Sequence, residues 1–478
     1  MNYIGIDIGS SSTKGVLVSD EFKILKSIKK DHQIFIKNKK STVKGDLFYK
    51  ESIEIIRELV KYSKEKIGKI TFSGFESISF LDKNGNEIFP SITYLDTRAD
   101  SIIPKIQNII EEDEIIKISR NRISSIFEGY KLLLEFFKNQ NKFKNVFTIL
   151  DVPRYVVFKL TGNAILDKTT AMLFAPFFHV DKDDWNYDFI RTIKLNEEIF
   201  PELREPFEIY GNVKNEIGNK LNIKDAEILV GTQDTYSQML SMGLTNPNES
   251  SIIYGTTAVF DYIHNGNNFN YNFVNTRYFG KNKYILEAAM FNSGSLLNWL
   301  SRTCNKRIED LDKMITNKKR PSNIITIPFF SGERAPIWNN QLKGSINFLQ
   351  MDSKIEDIYL SFIESIGYWL NYSLDILKKS GIEVLEIHSS GGGSKSNNFL
   401  QIISDITGKK QIINEFSSAE MGDVLFGFYS DRIIKNFNEI KNYNKVIREI
   451  YSINENYIKY AKSYRKFIEI IKKYIYKI

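Results

Sequence analysis

The sequence predicts an α/β protein of two domains, each a mixed β-sheet flanked by helices. Two observations carry that expectation. Residues 3–74 read as strand, strand, strand, helix, strand, with an antiparallel hairpin ahead of the helical crossover, an order that makes a mixed sheet and not a doubly wound one. The outline then begins again near Ser250, where residues 251–260 repeat the strand, glycine–hydroxyl turn and strand of residues 3–18. With 478 residues the chain is long enough for two cores, and the expected division is 1–244 and 245–478.

The bulk properties exclude several classes. Hydrophobic residues at 42% and charged residues at 26% are ordinary for a globular protein. No run approaches the ~18 uncharged apolar residues of a membrane span. The N-terminus enters a strand directly, without the basic and apolar regions of a secretory signal, so a cytoplasmic protein is expected. The single cysteine, Cys304, excludes an internal disulfide framework, and with only four histidines a Cys/His metal site is not expected. The net charge of +7, from 65 Lys+Arg against 58 Asp+Glu, is spread along the chain. Its densest basic stretch, Lys459 to Lys477, interleaves Tyr, Phe and Ile at helical spacing, the pattern of a solvated amphipathic helix and not of a nucleic-acid arm. Neither a nucleic-acid nor a membrane partner is expected.

Taken in order, Tyr3–Val18 is two apolar strands joined by the turn Gly9-Ser10-Ser11-Ser12. Asp7 ends the first strand, where a buried carboxylate is costly unless a cation or donors meet it. Gly9 eases the turn, the following N–H groups can face an anion, and Ser10 to Thr13 with Lys14 add hydroxyls and a fixed charge. That describes a phosphate cradle; a serine-rich turn capping an ordinary strand is the alternative. Lys23–Lys30 and His32–Lys37 are expected to supply one further strand and Ile70–Gly74 another, with a helix over Leu47–Lys66 between them. Phe75 and Glu76, with Asp96 and Arg98 of the Pro90–Arg98 stretch, cluster near strand ends and suggest a polar small-molecule pocket. Lys131–Phe137 reads as a helix, Val146–Leu160 as a strand running into a helix, and Asp183–Leu195 as an outer segment. Ala226–Val230 is a buried strand delivering Gly231 to Thr235, which places Asp234 at a sheet's C-terminal edge, where α/β folds bind ligands. Capping the helix Tyr236–Leu240 is the competing role for Asp234.

In the second half, Ser251–Phe260 carries the turn Gly255-Thr256-Thr257, and Val384–Ser390 is a strand delivering Gly391-Gly392-Gly393-Ser394 into a helix. Three glycines there allow close backbone approach by a flat or anionic ligand at the helix N-terminus.

Together these residues resemble the FGGY family of carbohydrate kinases, within the actin-like ATPase superfamily, over essentially the whole chain. The anchors are Asp7 to Lys14, Asp96-Thr97-Arg98, Gly231 to Asp234, Tyr254 to Thr257, Ser293-Gly294 with Trp299, Ser331 to Trp338 and Gly391 to Ser396. The Gly-Glu-Arg-Ala-Pro-Ile-Trp run is most like xylulokinases and gluconokinases. The resemblance implies two actin-like (ribonuclease-H-like) domains with an interdomain active-site cleft, and ATP and Mg²⁺ as cofactors. It implies that Asp7 and Asp234 serve the metal, that Asp234 is the base, and that Ser11, Ser12, Thr13, Lys14, Gly255 and Thr256 meet the ATP phosphates. Gly294, Asn298, Gly392, Gly393 and Asn397 would line the nucleotide, and Phe75, Glu76, Asp96, Arg98 and Asp234 the sugar or polyol. A homodimer is compatible with it.

One departure bears on the substrate. Xylulokinases and gluconokinases typically carry a Met-His pair where this chain has Phe75-Glu76, and a glutamate there is similar to glycerol kinases. A carboxylate facing the substrate disfavours an anionic sugar acid, so a neutral ketose such as xylulose is expected ahead of gluconate or glycerol. The alternative from another class is a non-enzymatic actin-like ATP-binding switch, which would explain the hairpins and glycines but not Glu76, Asp96 and Arg98.

Overall fold

A computed structural model describes residues 1–266 and 268–475. They form two compact units. The first comprises residues 1–245, 276–283 and 416–444, the second, among the described residues, 246–266, 268–275, 284–415 and 445–475.

In the first unit, β1 (Asn2–Ile8), β2 (Ser12–Ser19), β3 (Ile24–Asp31), β4 (Ile67–Gly74), β5 (Ile209–Asn212) and β6 (Glu227–Leu229) make one sheet in the order β5-β6-β4-β1-β2-β3. β2 is antiparallel to β1 and β3, while β1 and β6 run parallel to β4. β1 reads Asn-Tyr-Ile-Gly-Ile-Asp-Ile and is buried throughout, as a central strand covered on both faces must be. Helix α1 (Gly45–Val60) turns Phe48, Ile55, Ile56 and Leu59 onto the sheet, and α2 (Val152–Thr161) adds Val152, Val156 and Val157 to the same core. The strand residues expected over His32–Lys37 shrink to Ile36–Lys37, paired with Lys40–Ser41, because His32 is engaged elsewhere: its ring bonds Glu51 and the Gly9 carbonyl. The Asp183–Leu195 segment is not merely external, since it carries Trp185 and Phe189 into the core.

The second unit repeats the plan. β7 (Ser250–Tyr254), β8 (Ala258–Asn265), β9 (Lys283–Met290), β10 (Glu386–Gly391), β11 (Lys410–Asn414) and β12 (Val446–Ile450) are successive strands of a seven-stranded sheet, in the order β9-β8-β7-β10-β11-β12. β7 is antiparallel to β8 and parallel to β10, β10 is parallel to β11, and β12 is antiparallel to β11. Its core is packed by α5 (Ile355–Lys379) and by α8 (Asn454–Ile475), which buries Tyr460, Phe467 and Ile471. Residues 476 and 477 of the amphipathic stretch lie outside the described residues.

The units are not separated by a single cut in the chain. Helix α7 (Ala419–Ser430), late in the sequence, belongs to the first unit. The reason is a close approach that only glycine permits: a Cβ on Gly5 of β1 would lie 1.9 Å from the Glu420 carbonyl oxygen. Phe428 packs its ring edge-on to Tyr3, and Val424, Leu425 and Phe426 are buried. Among the described residues no helix is long and apolar enough to cross a membrane.

Candidate active site

The first unit gathers its polar groups at the carboxyl ends of β1, β4 and β6. Asp7 stands opposite Lys14 across the β1–β2 hairpin and opposite Ser73 on β4. It is 4% exposed; its Oδ2 accepts from Lys14 Nζ at 2.9 Å, while Oδ1 is buried with no partner among the described residues. Asp7 raises the pKa of the Lys14 ammonium, with Glu420 and Asp234 adding to it against the opposing effect of burial. The turn closes with Gly9 N donating to the Ser12 carbonyl at 3.0 Å. Ser11 is exposed and Ser12 buried.

Thr13 is not brought into this cradle. Strand alternation turns it to the other face, where its hydroxyl donates to Glu51 Oε2 at 2.6 Å. Glu51 also meets His32 Nδ1 at 3.1 Å, and His32 Nε2 lies 2.9 Å from the Gly9 carbonyl. The chain Thr13–Glu51–His32–Gly9 therefore braces the turn from behind.

Asp234 opens helix α3 (Asp234–Ser241). The N-cap residue is Gln233, not Asp234, and the Asp234 carboxylate accepts from Thr235 N at 2.7 Å. Its position in the first turn puts an anion at the positive end of the helix. The segment before it is held by Arg154, fully buried, whose Nη1 donates to the carbonyls of Phe72 at 3.3 Å and Thr232 at 3.2 Å. Asp151 balances that guanidinium, and Asp167 takes the Thr232 hydroxyl at 2.9 Å. Gln233 bridges Gly74, and its buried Nε2 has no partner among the described residues.

Of the expected substrate residues, Phe75 is buried and packs on Phe48, while Glu76 follows β4 half-buried. Asp96 is fully buried and clamps its neighbourhood: it accepts from Ser41 N at 2.9 Å, Arg98 N at 3.0 Å and the Arg98 guanidinium. Arg98 in turn lines an open pocket of about 410 Å³ together with Phe35, Lys37, Asn38, Lys40 and Thr42. Phe75, Glu76, Asp96 and Asp234 are not among the residues lining it.

In the second unit the parallel pairing of β7 with β10 sets Tyr254 beside Gly391, so the two glycine turns emerge at one sheet edge. Gly391 has φ +83°, and a Cβ there would lie 2.6 Å from the Tyr254 carbonyl oxygen, so no side chain fits. Gly392 is exposed, and a Cβ there would meet only the Tyr254 carbonyl oxygen, at 3.9 Å. The carbonyls of Gly255 and Thr256 accept from Gly294 N at 2.9 Å and Ser295 N at 3.0 Å, seating the first turn of α4 (Gly294–Thr303) on the hairpin. Thr256 and Asn298 are exposed. Ser396 caps α6 (Asn397–Thr407) through Phe399 N, and Asn397, also exposed, accepts from Arg448 Nη1 at 2.6 Å. Glu333 of the Gly-Glu-Arg run is 2% exposed, and burial raises its carboxyl to about 8. Ser331 N donates to Asn292 Oδ1 at 2.9 Å, which ties this run to the residues just before α4.

Several residues escape the sequence reading. Arg154 is signalled only by Asp151 three residues earlier at a helix start. His32 and Glu51 carry no local motif. Glu420 and Asp423, on α7, carry none either. Asp423 is fully buried and accepts from the Ser73 and Ser237 hydroxyls, each at 2.7 Å; burial holds its carboxyl well above the usual range.

Two mixed sheets, each with a glycine–hydroxyl hairpin at its centre and a parallel crossover beside it, fit the class of two-domain α/β phosphotransferases. Solved structures of similar fold include the xylulose kinase of Lactobacillus acidophilus, with a TM-score of 0.91 and 22% identity over 98% of this chain and 97% of that one. The gluconate kinase of the same organism gives a TM-score of 0.92 at 22% identity, over 99% and 98%. The xylulose kinase of Staphylococcus xylosus is 25% identical over 98% of each chain. Residues 2–241 match the N-terminal domain, and residues 250–430 the C-terminal domain, of the FGGY family of carbohydrate kinases. The chain belongs to that family. It is an ATP-dependent sugar kinase.

Proposed function

We propose that the chain transfers the γ-phosphoryl group of ATP to a hydroxyl of a neutral ketose such as xylulose, with Asp234 as general base. The observation that supports this best is the set of groups at the carboxyl ends of β1, β4 and β6: a half-buried carboxylate at a helix start, braced through Arg154, beside the Asp7–Lys14 pair. Phosphoryl transfer asks a protein for positioning and charge neutralisation more than for covalent chemistry. Lys14 and the backbone of Gly9 to Ser12 would hold the phosphates. Gly255, Thr256, Gly294, Asn298, Gly392, Gly393 and Asn397 would hold the rest of the nucleotide. Asp234 would take the proton from the attacking hydroxyl, a role worth ~10²–10⁴-fold.

Magnesium fits the donor set. Asp7 and Asp234 are hard oxygen donors, and Asp7 Oδ1 is buried and unpartnered. Among the described residues no group of three or more His, Cys, Asp or Glu is arranged to hold a metal ion. That suits a cation held by one or two carboxylates together with substrate phosphates. When bound, it supplies charge neutralisation at the β- and γ-phosphates.

Glu76 supports a neutral substrate, because a carboxylate beside the sugar repels a sugar acid. The pocket of Lys37, Lys40 and Arg98 favours a second reading, gluconate, whose carboxylate those cations would attract.

Asp234→Asn tests the assignment, since it keeps the shape and removes the basicity. kcat falls at least ~100-fold with ATP affinity little changed. Near-normal turnover would make Asp234 a helix-start residue only.

A further inference from the structure

We propose that Glu420, carried in by α7 from late in the sequence, belongs to the phosphate end of the site. There its carboxylate accepts hydrogen bonds from water bound to the divalent cation of the nucleotide, alongside Asp7. The inference deepens the reading of Asp7 given above and rests on it.

Placement carries the first part. Glu420 is the second residue of α7, and its backbone carbonyl is pressed against Gly5, two residues before Asp7 on the same strand. No substitution at Gly5 would keep that seat, so the helix start is fixed against the strand that presents Asp7.

The state of the oxygens carries the second part. Asp7, 4% exposed, has Oδ1 buried without a partner, and Glu420 Oε2 is buried without a partner in the same way, among the described residues. Buried carboxylate oxygens are ordinarily satisfied by donors, and leaving them unsatisfied costs free energy. Two such oxygens in one neighbourhood indicate a missing donor common to both.

Charge carries the third part. Lys14 is the cation whose field both acids share, and Asp7 Oδ2 already takes its ammonium at 2.9 Å. Asp423 sits deeper, one α7 turn on, with its oxygens met by the hydroxyls of Ser73 and Ser237. One ammonium is left to serve Asp7, Glu420 and Asp234 together. A hydrated divalent cation supplies both items that are lacking, positive charge and O–H donors, and magnesium keeps several of its waters when it binds. Outer carboxylates that hold such waters orient a metal site without ligating the ion.

Calorimetry of ADP binding to the full chain, with and without Mn²⁺, tests the inference without requiring turnover. In the wild type Mn²⁺ tightens ADP binding. In Glu420→Gln that gain falls at least ~tenfold, while metal-free ADP affinity holds or improves because a negative charge near the phosphates is gone. Glu420→Asp, which keeps the charge and shortens the reach, loses part of the gain and serves if the glutamine variant does not fold. An undiminished gain in either variant overturns the proposal. So does an equal loss with and without metal, which would make Glu420 a support for Lys14. A wild type showing no gain from Mn²⁺ would instead overturn the reading of Asp7 itself.

Discussion

Two hairpins of this molecule have the same plan and opposite chemistry. In the first, the pair next to the closing pair is Asp7 facing Lys14; in the second it is Ile253 facing Val259. The first turn is braced from behind by a chain of polar side chains, Thr13, Glu51 and His32. The second turn spends its own carbonyls on the N-terminus of α4 and presents a bare glycine beside an exposed threonine. Charge buried at the first site must be answered by charge, while the second offers backbone and shape. A phosphoryl group with its cation suits the first kind of surface, and a nucleoside that changes little during the reaction suits the second.

The largest expected effect separates the two directly. Lys14→Met leaves Asp7 buried and unpaired, so kcat falls ~10²–10³-fold. Val259→Ile, an added methylene at the equivalent half-buried strand position, costs at most ~1–3 kcal/mol of stability and leaves kcat in place. Steady-state kinetics on both proteins check this, and comparable losses in the two would erase the distinction between the hairpins.

A smaller effect concerns Thr13. Thr13→Val removes a donor from Glu51 and lowers stability by ~1–3 kcal/mol in urea unfolding, with KM for ATP little changed. A large rise in KM with stability intact would return Thr13 to the phosphate cradle.

The smallest is a pH effect in the second unit. Burial raises Glu333 and Glu364 from 4.5 to about 8. Each is protonated in the folded chain over a range where the unfolded chain has already lost the proton. Their contribution to stability is therefore full below about 4.5 and is lost as pH rises toward about 8. Thermal midpoints fall across that window, and Glu333→Gln with Glu364→Gln flattens the slope. A midpoint that rises through the window contradicts the sign.

Much of the fold was legible in the sequence because its signals are local. The hairpin 3–18, the helix start at Asp234 and the Gly391–Gly393 turn each announce themselves within a dozen residues. The family resemblance added roles for those residues that spacing alone does not supply. What stayed hidden is non-local. Arg154 acts by reaching the carbonyls of Phe72 and Thr232, 82 and 78 residues away. Asp423 joins Ser73 across 350 residues. Thr13 looked like a phosphate contact because sequence shows that a hydroxyl is present but not which face of the strand carries it. Nor does the sequence show that Ser41 and Arg98 meet the Asp96 carboxylate.

The substrate preference is tested most directly by one ratio: kcat/KM for xylulose over kcat/KM for gluconate, in the wild type and in Glu76→Gln. Glu76 argues for a neutral sugar and the Lys37–Lys40–Arg98 pocket for an acid, so the two variants weigh one feature against the other. A hydrogen bond to a charged group is worth ~1.5–3 kcal/mol, so Glu76→Gln lowers the xylulose value roughly ten- to hundredfold. The gluconate value rises or holds steady, and the wild-type ratio favours xylulose. A wild type that prefers gluconate, with a ratio unchanged by Glu76→Gln, would contradict the account and give the acceptor site to the cationic pocket.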